Sequence, residues 1–464
     1  MRVAIIGGGI TGLSAAYYLQ KEILANQLDV EYQLFEGSPH LGGKIQTHYY
    51  KDFVIEKGPD SFLARKTSAY KLVKEVGLEE ELVTNRTGQA YVLSKEELHP
   101  IPMGAVMGIP TKLGPFLTTN LFSPAAKVRA SADLILPKSK ADGDQSLGRF
   151  FRRRLGSEVV DNLIDPLLSG IYAGDIDRLS LQSTFPQFQE VEKSHRSLIL
   201  GMKGTRPPTA QGKQTGGFLT LRRGLQSLVD AIENHLDEDA VQKDCTLQKI
   251  TRKSDQYELE FQDGSKRYFD KIIITTPPHI TASLLGDEEI QDHLRSIPST
   301  SVATVAMAFD ESQLTMDFDG TGFVVSKKGD YTITACTWTH RKWEHSTPEG
   351  KALLRCYVGK PGGEEIVNKP DEYIVDVVLK DLNRVMSVHG QPEHFKVTRW
   401  HQAMPQYEIH HKKHLESLRE RLENVFPGVI LSGAAFEGVG LPDCITQGEE
   451  AAHKSLTTIK NLQT

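Results

Sequence analysis

Three glycines near the start of the chain have the spacing of a phosphate-binding turn. Gly7, Gly9 and Gly12 fill the glycine positions of G-x-G-x-x-G. In this motif the glycines make a tight turn, let the backbone approach a pyrophosphate and let a helix pack closely on a strand. The helix N-terminus that follows offers free N–H groups and a positive dipole end to phosphate oxygens. The chemistry indicated is dinucleotide binding.

The flanking residues predict the elements that such a turn requires. Residues 3–6 are a continuous apolar run, typical of a parallel strand buried on both faces. The residues after the turn have helical spacing, and a second strand at residues 30–35 ends in Glu36. A carboxylate there can accept hydrogen bonds from ribose hydroxyls and would repel the 2′-phosphate of NADP. A tight turn without a ligand is the alternative.

Two further glycine segments follow soon after this unit. Residues 41–45 contain the adjacent pair Gly42 and Gly43, and residues 56–62 form a turn that leaves the strand at residues 53–55. Adjacent glycines let the backbone pass close to the second half of an extended cofactor. The pattern therefore favours FAD over NAD.

The C-terminal region repeats the order of strand, glycine loop and helix. An apolar strand at residues 429–431 leads into the glycine-rich residues 433–443, and a helix is expected to start near Asp443. A second helix N-terminus would thus point at the cofactor, where it stabilises negative charge on the ring. The alternative is an ordinary helix cap.

Length and composition restrict the class of protein. The chain has 464 residues, 39% of them hydrophobic and 25% charged, and a formal net charge of −6. This size predicts more than one domain, and the charge gives no attraction to nucleic acid. The first strand begins almost at residue 1 and no apolar run reaches about 18 residues, so we expect a cytoplasmic protein. The four cysteines are far apart in sequence, so neither a metal site nor a disulfide framework is expected.

The middle of the chain alternates between strand and helix patterns. Residues 256–269 predict a hairpin that turns at Asp263 and Gly264, and residues 271–275 predict another buried parallel strand. Several strands between residues 300 and 360 indicate a mostly antiparallel sheet. Residues 145–172 are predicted to be helical, and the polar residues 201–216 to cross between domains.

Two basic regions have more than one interpretation. Residues 100–140 are rich in glycine, proline and apolar residues, and their charges are mostly positive. We favour a helical subdomain with internal apolar residues, and peripheral contact with an acidic membrane surface is the alternative. The cluster Arg152, Arg153 and Arg154 is interpreted as a solvated face, with binding of an anionic ligand as the alternative.

Five segments carry a resemblance to a known family. They read GGGITGL, LGGKIQT, EKGPDSF, SGIYAGD and GAAFEGVGLPDCITQG, and they span essentially the whole chain. In order and spacing they resemble the Gram-positive bacterial porphyrinogen oxidases, which are flavoenzymes of haem synthesis within the flavin amine oxidase-like superfamily. Shorter stretches such as STFPQF, HRSLILGMK, ITACTWT and MPQY agree as well.

The resemblance implies an α/β fold with three domains. A Rossmann-like FAD-binding domain would be assembled from the discontinuous segments 1–65, 213–285 and 399–464. A substrate domain built on a mostly antiparallel sheet would comprise residues 66–98, 173–212 and 286–398. A helical domain, residues 99–172, would be inserted between parts of these two.

It also implies a noncovalent FAD, with its adenosine end at Glu36 and its flavin between the Gly43 region and the C-terminal glycine loop. Position 37 is commonly Ala and position 247 commonly Val in such proteins, and both changes keep a small or apolar contact. The contacts carried over are Gly7, Gly8, Gly9, Ile10, Thr11, Gly12, Glu36, Gly37, Gly43, Lys44, Gly58, Pro59, Asp60, Ser61, Leu247, Trp400, Val439, Gly440 and Leu441.

The substrate implied is coproporphyrinogen III, a reduced macrocycle with four propionate arms. Six electrons would leave in three rounds, with dioxygen as acceptor and hydrogen peroxide as product. Cations should hold the propionates, so Lys66, with Arg65, is predicted to bind one arm, and Ile171 and Tyr172 to line the pocket. FAD would carry the chemistry, with no catalytic side chain required.

Three other functions remain as alternatives. Protoporphyrinogen IX, with two propionates, is the nearest alternative substrate. An amine oxidase of the same fold would need an aromatic cage, for which Trp338, Trp343 and Tyr357 are candidates. A flavin-containing protein that delivers tetrapyrroles to a ferrochelatase without turnover is the third. For the porphyrinogen oxidase, contact with a ferrochelatase and peripheral contact with the inner face of the cell membrane are further open alternatives.

Overall fold

A five-stranded parallel sheet joins segments from both ends of the chain. The computed structural model describes residues 1–86, 88–139, 143–204, 217–316 and 318–460. Every pair of neighbouring strands in this sheet is parallel. The strand order across it is Val241–Gln242, Glu31–Phe35, Arg2–Ile6, Lys271–Ile274 and Val429–Leu431. The strands predicted from the four apolar runs are confirmed.

Both faces of this sheet are covered, which explains its continuous apolar strands. Val3 and Ile5 pack into one hydrophobic cluster, and Ala4 and Ile6 pack into another on the opposite face. The helices of the first face are Ile10–Asn26, Thr67–Glu75, Gln226–His235 and Leu441–Lys460. The second face carries the helices Pro278–Leu284, Glu288–Arg295 and His411–Val425 and the antiparallel strands Leu247–Lys253, Gln256–Phe261 and Lys266–Phe269.

The hairpin predicted at Asp263 and Gly264 is confirmed. Strands Gln256–Phe261 and Lys266–Phe269 pair antiparallel across this turn, and Gly264 has a φ of 81°. The left-handed backbone at this position favours glycine.

The first long helix packs directly against the last one. A Cβ added at Gly448 would lie 2.4 Å from the carbonyl oxygen of Thr11. Any side chain at position 448 would therefore separate helix Leu441–Lys460 from helix Ile10–Asn26. This close approach brings the N-terminus of the last helix to the glycine turn that follows the first strand.

A seven-stranded sheet forms the second layer of the molecule. All of its strand pairs are antiparallel except that of Gly322–Val325 with Ala90–Ser94. Its order is His394–Pro405, Ser299–Asp310, Lys351–Val358, Ile333–Trp338, Gly322–Val325, Ala90–Ser94 and Glu97–Pro100. The predicted mostly antiparallel sheet is confirmed. Helices Asp371–Leu382 and Thr339–Lys342 accompany it.

Shorter sheets accompany the two large ones. One three-stranded sheet has the order Phe62–Leu63, Phe218–Leu221 and Leu82–Thr84. The two-stranded pairs are Thr47–Tyr50 with Phe53–Glu56, Ala105–Val106 with Ile109–Pro110, and Leu314–Thr315 with Ser387–Val388.

The third part of the molecule is helical, and its hydrophobic cluster extends from Ile109 to Met202, together with Val92 and Tyr407. Its helices are Leu113–Thr118, Pro124–Ser131, Leu147–Leu155, Ser157–Val159, Asp165–Tyr172, Leu181–Thr184, Pro186–His195 and Leu198–Gly204. The domain boundaries implied by the resemblance stay a prediction. Of the crossing loop predicted at residues 201–216, residues 201–204 belong to the last of these helices and the rest lies outside the described residues.

The helix predicted over residues 145–172 is interrupted. It stops at Gly156, whose φ of 85° a helix cannot contain, and the π-helical turn Val160–Ile164 precedes Asp165–Tyr172. π-Turns insert an extra residue per turn and often occur where a helix presents residues to a binding site. Here the π-helical turn changes the direction of the helical segment Asp165–Tyr172 that follows it.

The interpretation of the arginine cluster as a solvated face is wrong for Arg154. Its side chain is fully buried, and Nε donates to Asp133 Oδ1 at 2.5 Å. Its other nitrogens donate to the carbonyls of Pro137 and Arg196 and to Glu192 Oε1. Helical periodicity could not reveal this because the partners come from three other segments.

Asp133→Asn should destabilise the helical part because it removes the nearer of the two carboxylates that compensate the buried Arg154 charge. We expect a loss of about 3 kcal/mol, measured as a lower denaturation midpoint. Glu190→Gln is the matched control, since the pair of Glu190 with Lys193 is exposed and should contribute less than about 0.5 kcal/mol. Equal midpoints for the two variants would contradict this role of Asp133.

Candidate active site

The carboxyl ends of the parallel strands open into one large cavity. Its volume is about 1170 Å³, and its wall includes Gly7, Glu36, Thr275 and Gly433, each directly after a strand or one residue beyond it. In open parallel sheets, ligands bind at the carboxyl edge, next to the point where the order of the strands reverses. The volume exceeds the ~300–1,000 Å³ of an ordinary small-molecule pocket. It can hold more than one small ligand.

The glycine turn has the geometry of a phosphate-binding loop. A Cβ added at Gly12 would lie 1.9 Å from the Gly7 carbonyl oxygen, so only glycine lets the helix start this close to the strand. At Gly9 a Cβ would meet no atom within 4 Å. The backbone at Gly9 is therefore open to a close approach by a ligand, while Gly12 serves the packing behind it.

Glu36 is held in place by two backbone amides. Its Oε2 accepts a hydrogen bond from the Gly8 N–H at 2.6 Å, and its Oε1 accepts one from the Ser38 N–H at 2.9 Å. Gly37 packs against Thr246, where a Cβ would come within 3.1 Å of the hydroxyl oxygen. Both carboxylate oxygens of Glu36 are thus held in a fixed orientation at the cavity wall.

Gly42 and Gly43 continue the same wall. The Gly42 N–H donates to the Gly8 carbonyl at 2.8 Å, and Gly42 and Gly9 form an isolated parallel bridge. Gly43 has a left-handed φ of 58°, and a Cβ there would be 3.2 Å from Gly9 Cα. The second glycine segment therefore packs directly on the first.

Lys44, Gly58 and Trp400 meet at the other end of this wall. The Lys44 ammonium donates to the Ala403 carbonyl, and burial lowers the pKa of this lysine. Gly58 packs on the Lys44 carbonyl, and the Trp400 indole N–H donates to the Lys57 carbonyl at 3.1 Å. Segments that are far apart in the sequence thus form one corner of the cavity.

The C-terminal glycine loop closes the cavity beside the last helix. Val439, Gly440 and Leu441 line it, and helix Leu441–Lys460 begins at this point. Its first N–H groups therefore lie at the cavity wall, where they favour negative charge.

Tyr407 holds this loop in shape, although no role was predicted for it. Its hydroxyl donates to the Ala434 carbonyl at 2.7 Å and accepts from the Gly438 N–H at 2.7 Å. Burial raises its pKa well above the usual value, which keeps the hydroxyl protonated as a donor. Its stretch MPQY was part of the resemblance, and an aromatic side chain with a polar tip was the only other signal.

Asp60 lies behind the cavity wall at the centre of an ionic network. Its Oδ2 accepts from the Lys342 ammonium at 2.9 Å and from the Trp343 indole N–H at 3.3 Å, and Arg355 Nη1 is 3.7 Å away. Burial alone would raise the pKa of Asp60, but the Lys342 and Arg355 charges hold it well below its usual range. The ionic network fixes the turn that contains Pro59 and Ser61, both of which line the cavity.

Most of the predicted cofactor residues come together in this one cavity. Gly8, Gly12 and Asp60 are not part of its wall. The wall contains Gly7, Gly9, Ile10, Thr11, Glu36, Gly37, Gly43, Lys44, Gly58, Pro59, Ser61, Leu247, Trp400, Val439, Gly440 and Leu441.

The four predicted substrate-binding residues do not come together in the cavity wall. Ile171 lines the cavity, whereas Tyr172 is buried beside Tyr407, with ring centroids 5.5 Å apart. Arg65 is exposed, and the Lys66 ammonium binds both Asp443 oxygens at 2.6 Å. Neither Arg65 nor Lys66 belongs to the cavity wall.

Other polar residues that the sequence did not single out line the part of the cavity beside the seven-stranded sheet. Asp165 accepts a hydrogen bond from the Ser169 hydroxyl, and burial raises the pKa of Asp165. Lys327 lies beside it, and Lys360 and Tyr331 form the neighbouring rim. Lys327 and Lys360 lie in loops that follow strands, and charged residues in loops give no periodic signal, which is why these two were missed.

The fold and the cavity define a flavin-dependent oxidoreductase. Residues 10–454 match the family described as flavin containing amine oxidoreductase, and the chain belongs to that family. It is 54% identical to the coproporphyrinogen III oxidase of Bacillus subtilis, with 98% of each chain covered. It is 42% identical to that of Staphylococcus aureus over 98% of this chain and 99% of the other. The resemblance to the Gram-positive porphyrinogen oxidases is confirmed.

Solved structures agree on the architecture. An Exiguobacterium protein provisionally identified as a protoporphyrinogen oxidase has a TM-score of 0.89 and 38% identity, with 100% of this chain and 99% of the other covered. A putrescine oxidase variant has a TM-score of 0.71 at 13% identity, with 99% of each chain covered, and shows the fold alone. The predicted α/β fold with a flavin-binding part and an antiparallel sheet is confirmed.

Gly12→Ala should weaken flavin retention, because the added carbon would push the helix away from the turn. We expect a cost of about 1–3 kcal/mol in stability and a lower ratio of flavin to protein absorbance after purification. Gly114→Ala is the matched control, since a Cβ at this helical glycine meets no atom within 4 Å. Full flavin content in the Gly12 variant would contradict the predicted geometry.

Asp60 should make stability depend on pH. The folded state holds its carboxyl below the usual pKa of about 3.9, so it binds fewer protons than the unfolded state. The stabilisation is therefore complete above that pH and is lost as the pH falls below it. Asp60→Asn should lower the melting temperature most at about pH 7, and the difference should shrink steadily as the pH falls below about 3.9 towards the depressed pKa of the folded state. A pH-independent difference would contradict this.

Proposed function

We propose that this protein is an FAD-dependent oxidase that converts coproporphyrinogen III to coproporphyrin III in haem biosynthesis. The observation that carries the proposal is that one continuous cavity runs from the residues around Glu36 to a wide compartment with lysines at its rim. End-to-end identity of 54% to the Bacillus subtilis coproporphyrinogen III oxidase supports it.

The residues present fit FAD. The open space at Gly9 suits the pyrophosphate, and the amide-held Glu36 suits the adenosine ribose, with Gly37 and Leu247 beside it. Lys44, Gly58, Trp400 and the start of helix Leu441–Lys460 would surround the flavin ring. The other cofactor residues named above would complete the site.

The reaction removes six electrons from a reduced macrocycle. When bound, FAD would supply the redox chemistry of three rounds, each of which removes a hydride and a proton from the substrate, and dioxygen would take up these two electrons and two protons as hydrogen peroxide. The chain's own residues would hold the macrocycle flat against this position and exclude water from it. The apolar walls, which include Ile171 and Val324, suit a large aromatic product.

The propionate-binding roles of Arg65 and Lys66 remain proposals. The ion pair of Lys66 with Asp443 competes with such a role, because one ammonium would have to serve both carboxylates. Tyr172 would contribute to the substrate pocket indirectly. Its carbonyl accepts a hydrogen bond from Gln406 at 2.7 Å, and its ring contacts Tyr407.

An aromatic cage for an amine finds little support. Tyr357 lines the cavity, but Trp338 is fully buried in the core of the antiparallel sheet and Trp343 binds Asp60. An amine oxidase is therefore the weaker proposal. Protoporphyrinogen IX remains the nearest alternative substrate.

We also propose peripheral membrane contact through residues 100–140. In the part of the chain that the structure describes, no helix is long and apolar enough to span a bilayer. Phe116, Leu121 and Phe122 are internal, as favoured from the sequence. Other apolar side chains in this region are exposed, namely Met103, Leu113, Leu117, Val128 and Ile135. A cytoplasmic location and contact with a ferrochelatase belong to the same proposal.

Anaerobic mixing of the purified yellow protein with coproporphyrinogen III should bleach its flavin absorbance, because the substrate supplies electrons directly. Porphyrin fluorescence should follow when air is admitted. Protoporphyrinogen IX and a panel of amines serve as parallel substrates. Bleaching by an amine alone would refute the proposal, and tight porphyrin binding without oxygen uptake would indicate a delivery protein.

A further inference from the structure

The cavity wall contains three lysines in the described part of the chain, and their surroundings differ. Lys44 lies in the dinucleotide part and donates to the Ala403 carbonyl. Lys327 and Lys360 lie in the substrate part. Lys327 belongs to the loop that joins strands Gly322–Val325 and Ile333–Trp338, and Lys360 follows strand Lys351–Val358. These two are the cations that a charged substrate would meet there.

Lys327 is already neutralised. Its ammonium is 3.2 Å from Asp175, 3.8 Å from Asp177 and 3.9 Å from Asp165. These carboxylates raise its pKa despite its partial burial. An incoming carboxylate would therefore meet more negative than positive charge on this side of the rim.

Lys360 has no such partner among the described residues. Its ammonium donates to the Tyr331 carbonyl at 3.0 Å, and no carboxylate of the described chain forms an ion pair with it. An ammonium group has three N–H donors, so two remain available after this bond. The hydrogen bond to a neutral carbonyl orients the group without neutralising it.

The backbone fixes Lys360 at the mouth of the cavity. It follows strand Lys351–Val358 through Gly359, which has a left-handed φ of 101°. A Cβ at Gly359 would lie 2.5 Å from the Ser301 carbonyl oxygen, so the turn is packed tightly on the neighbouring strand. The exposed side chain of Lys360 therefore starts from a rigid position.

We propose that Lys360 binds one carboxylate arm of the substrate and is a specificity-determining residue. This inference rests on the proposed function. A tetracarboxylate carries an arm on each pyrrole ring, so one arm reaches Lys360 in every in-plane orientation of the macrocycle. A dicarboxylate reaches it in only some orientations. Lys360 thus favours the substrate with four arms.

The test removes the charge of Lys360 from the protein and, separately, the carboxylate charges from the substrate. Lys360→Ala, Lys360→Arg and the exposed control Lys369→Ala would be assayed with coproporphyrinogen III and with its uncharged tetramethyl ester. We expect Lys360→Ala to raise KM for the acid about fivefold to twentyfold, with little change in kcat. Lys360→Arg should restore most of the affinity, and Lys369→Ala should match the native protein.

Equilibrium binding of coproporphyrin III, followed by its fluorescence, provides a second readout that does not need turnover. Its Kd should rise by a similar factor in Lys360→Ala. Unchanged KM and Kd would overturn the inference, and so would an equal loss for acid and ester, which would indicate a purely structural role. A native protein that binds the porphyrin through Lys360 but oxidises neither porphyrinogen would refute the proposed function and leave the inference standing.

Discussion

The whole site depends on backbone pairing between strands that are far apart in the chain. Ile6 pairs with Ile274, and Ile274 pairs with Leu431, so the central sheet joins the start, the middle and the end of the sequence. Because the cavity lies at the carboxyl ends of these strands, each strand delivers its following loop to the same place. The contacts that need glycine, at positions 12 and 448, then hold the two long helices against the sheet and against each other.

The electrostatics of the cavity follow from which charges have partners inside the protein. Glu36 is satisfied by amides, Asp60 by Lys342 and Arg355, and Lys327 by carboxylates. Buried or half-buried charges are tolerated when they are compensated in this way.

The sequence predicted the local units of this site well. The strand, glycine turn and helix at the N-terminus and the hairpin at residues 256–269 depend on neighbouring residues, so their patterns are visible without a fold. Burial of Arg154 was not predictable, because Asp133 and Glu192 come from other helices. The break at Gly156 was missed because apolar residues keep a helical spacing on both sides of it. Tyr407, Lys327 and Lys360 acquire their roles only when the sheets bring their loops to the cavity.

The order of the strands also bears on how the protein is made. A chain emerging from the ribosome can form the strands Arg2–Ile6 and Glu31–Phe35 early, but the strand Val429–Leu431 and the helix Leu441–Lys460 are synthesised hundreds of residues later. The wall formed by Val439, Gly440 and Leu441 therefore exists only after nearly all of the chain has been translated. The complete cavity is consequently formed only after these late segments have joined the sheet, and a nascent chain must protect its half-covered first strands until then.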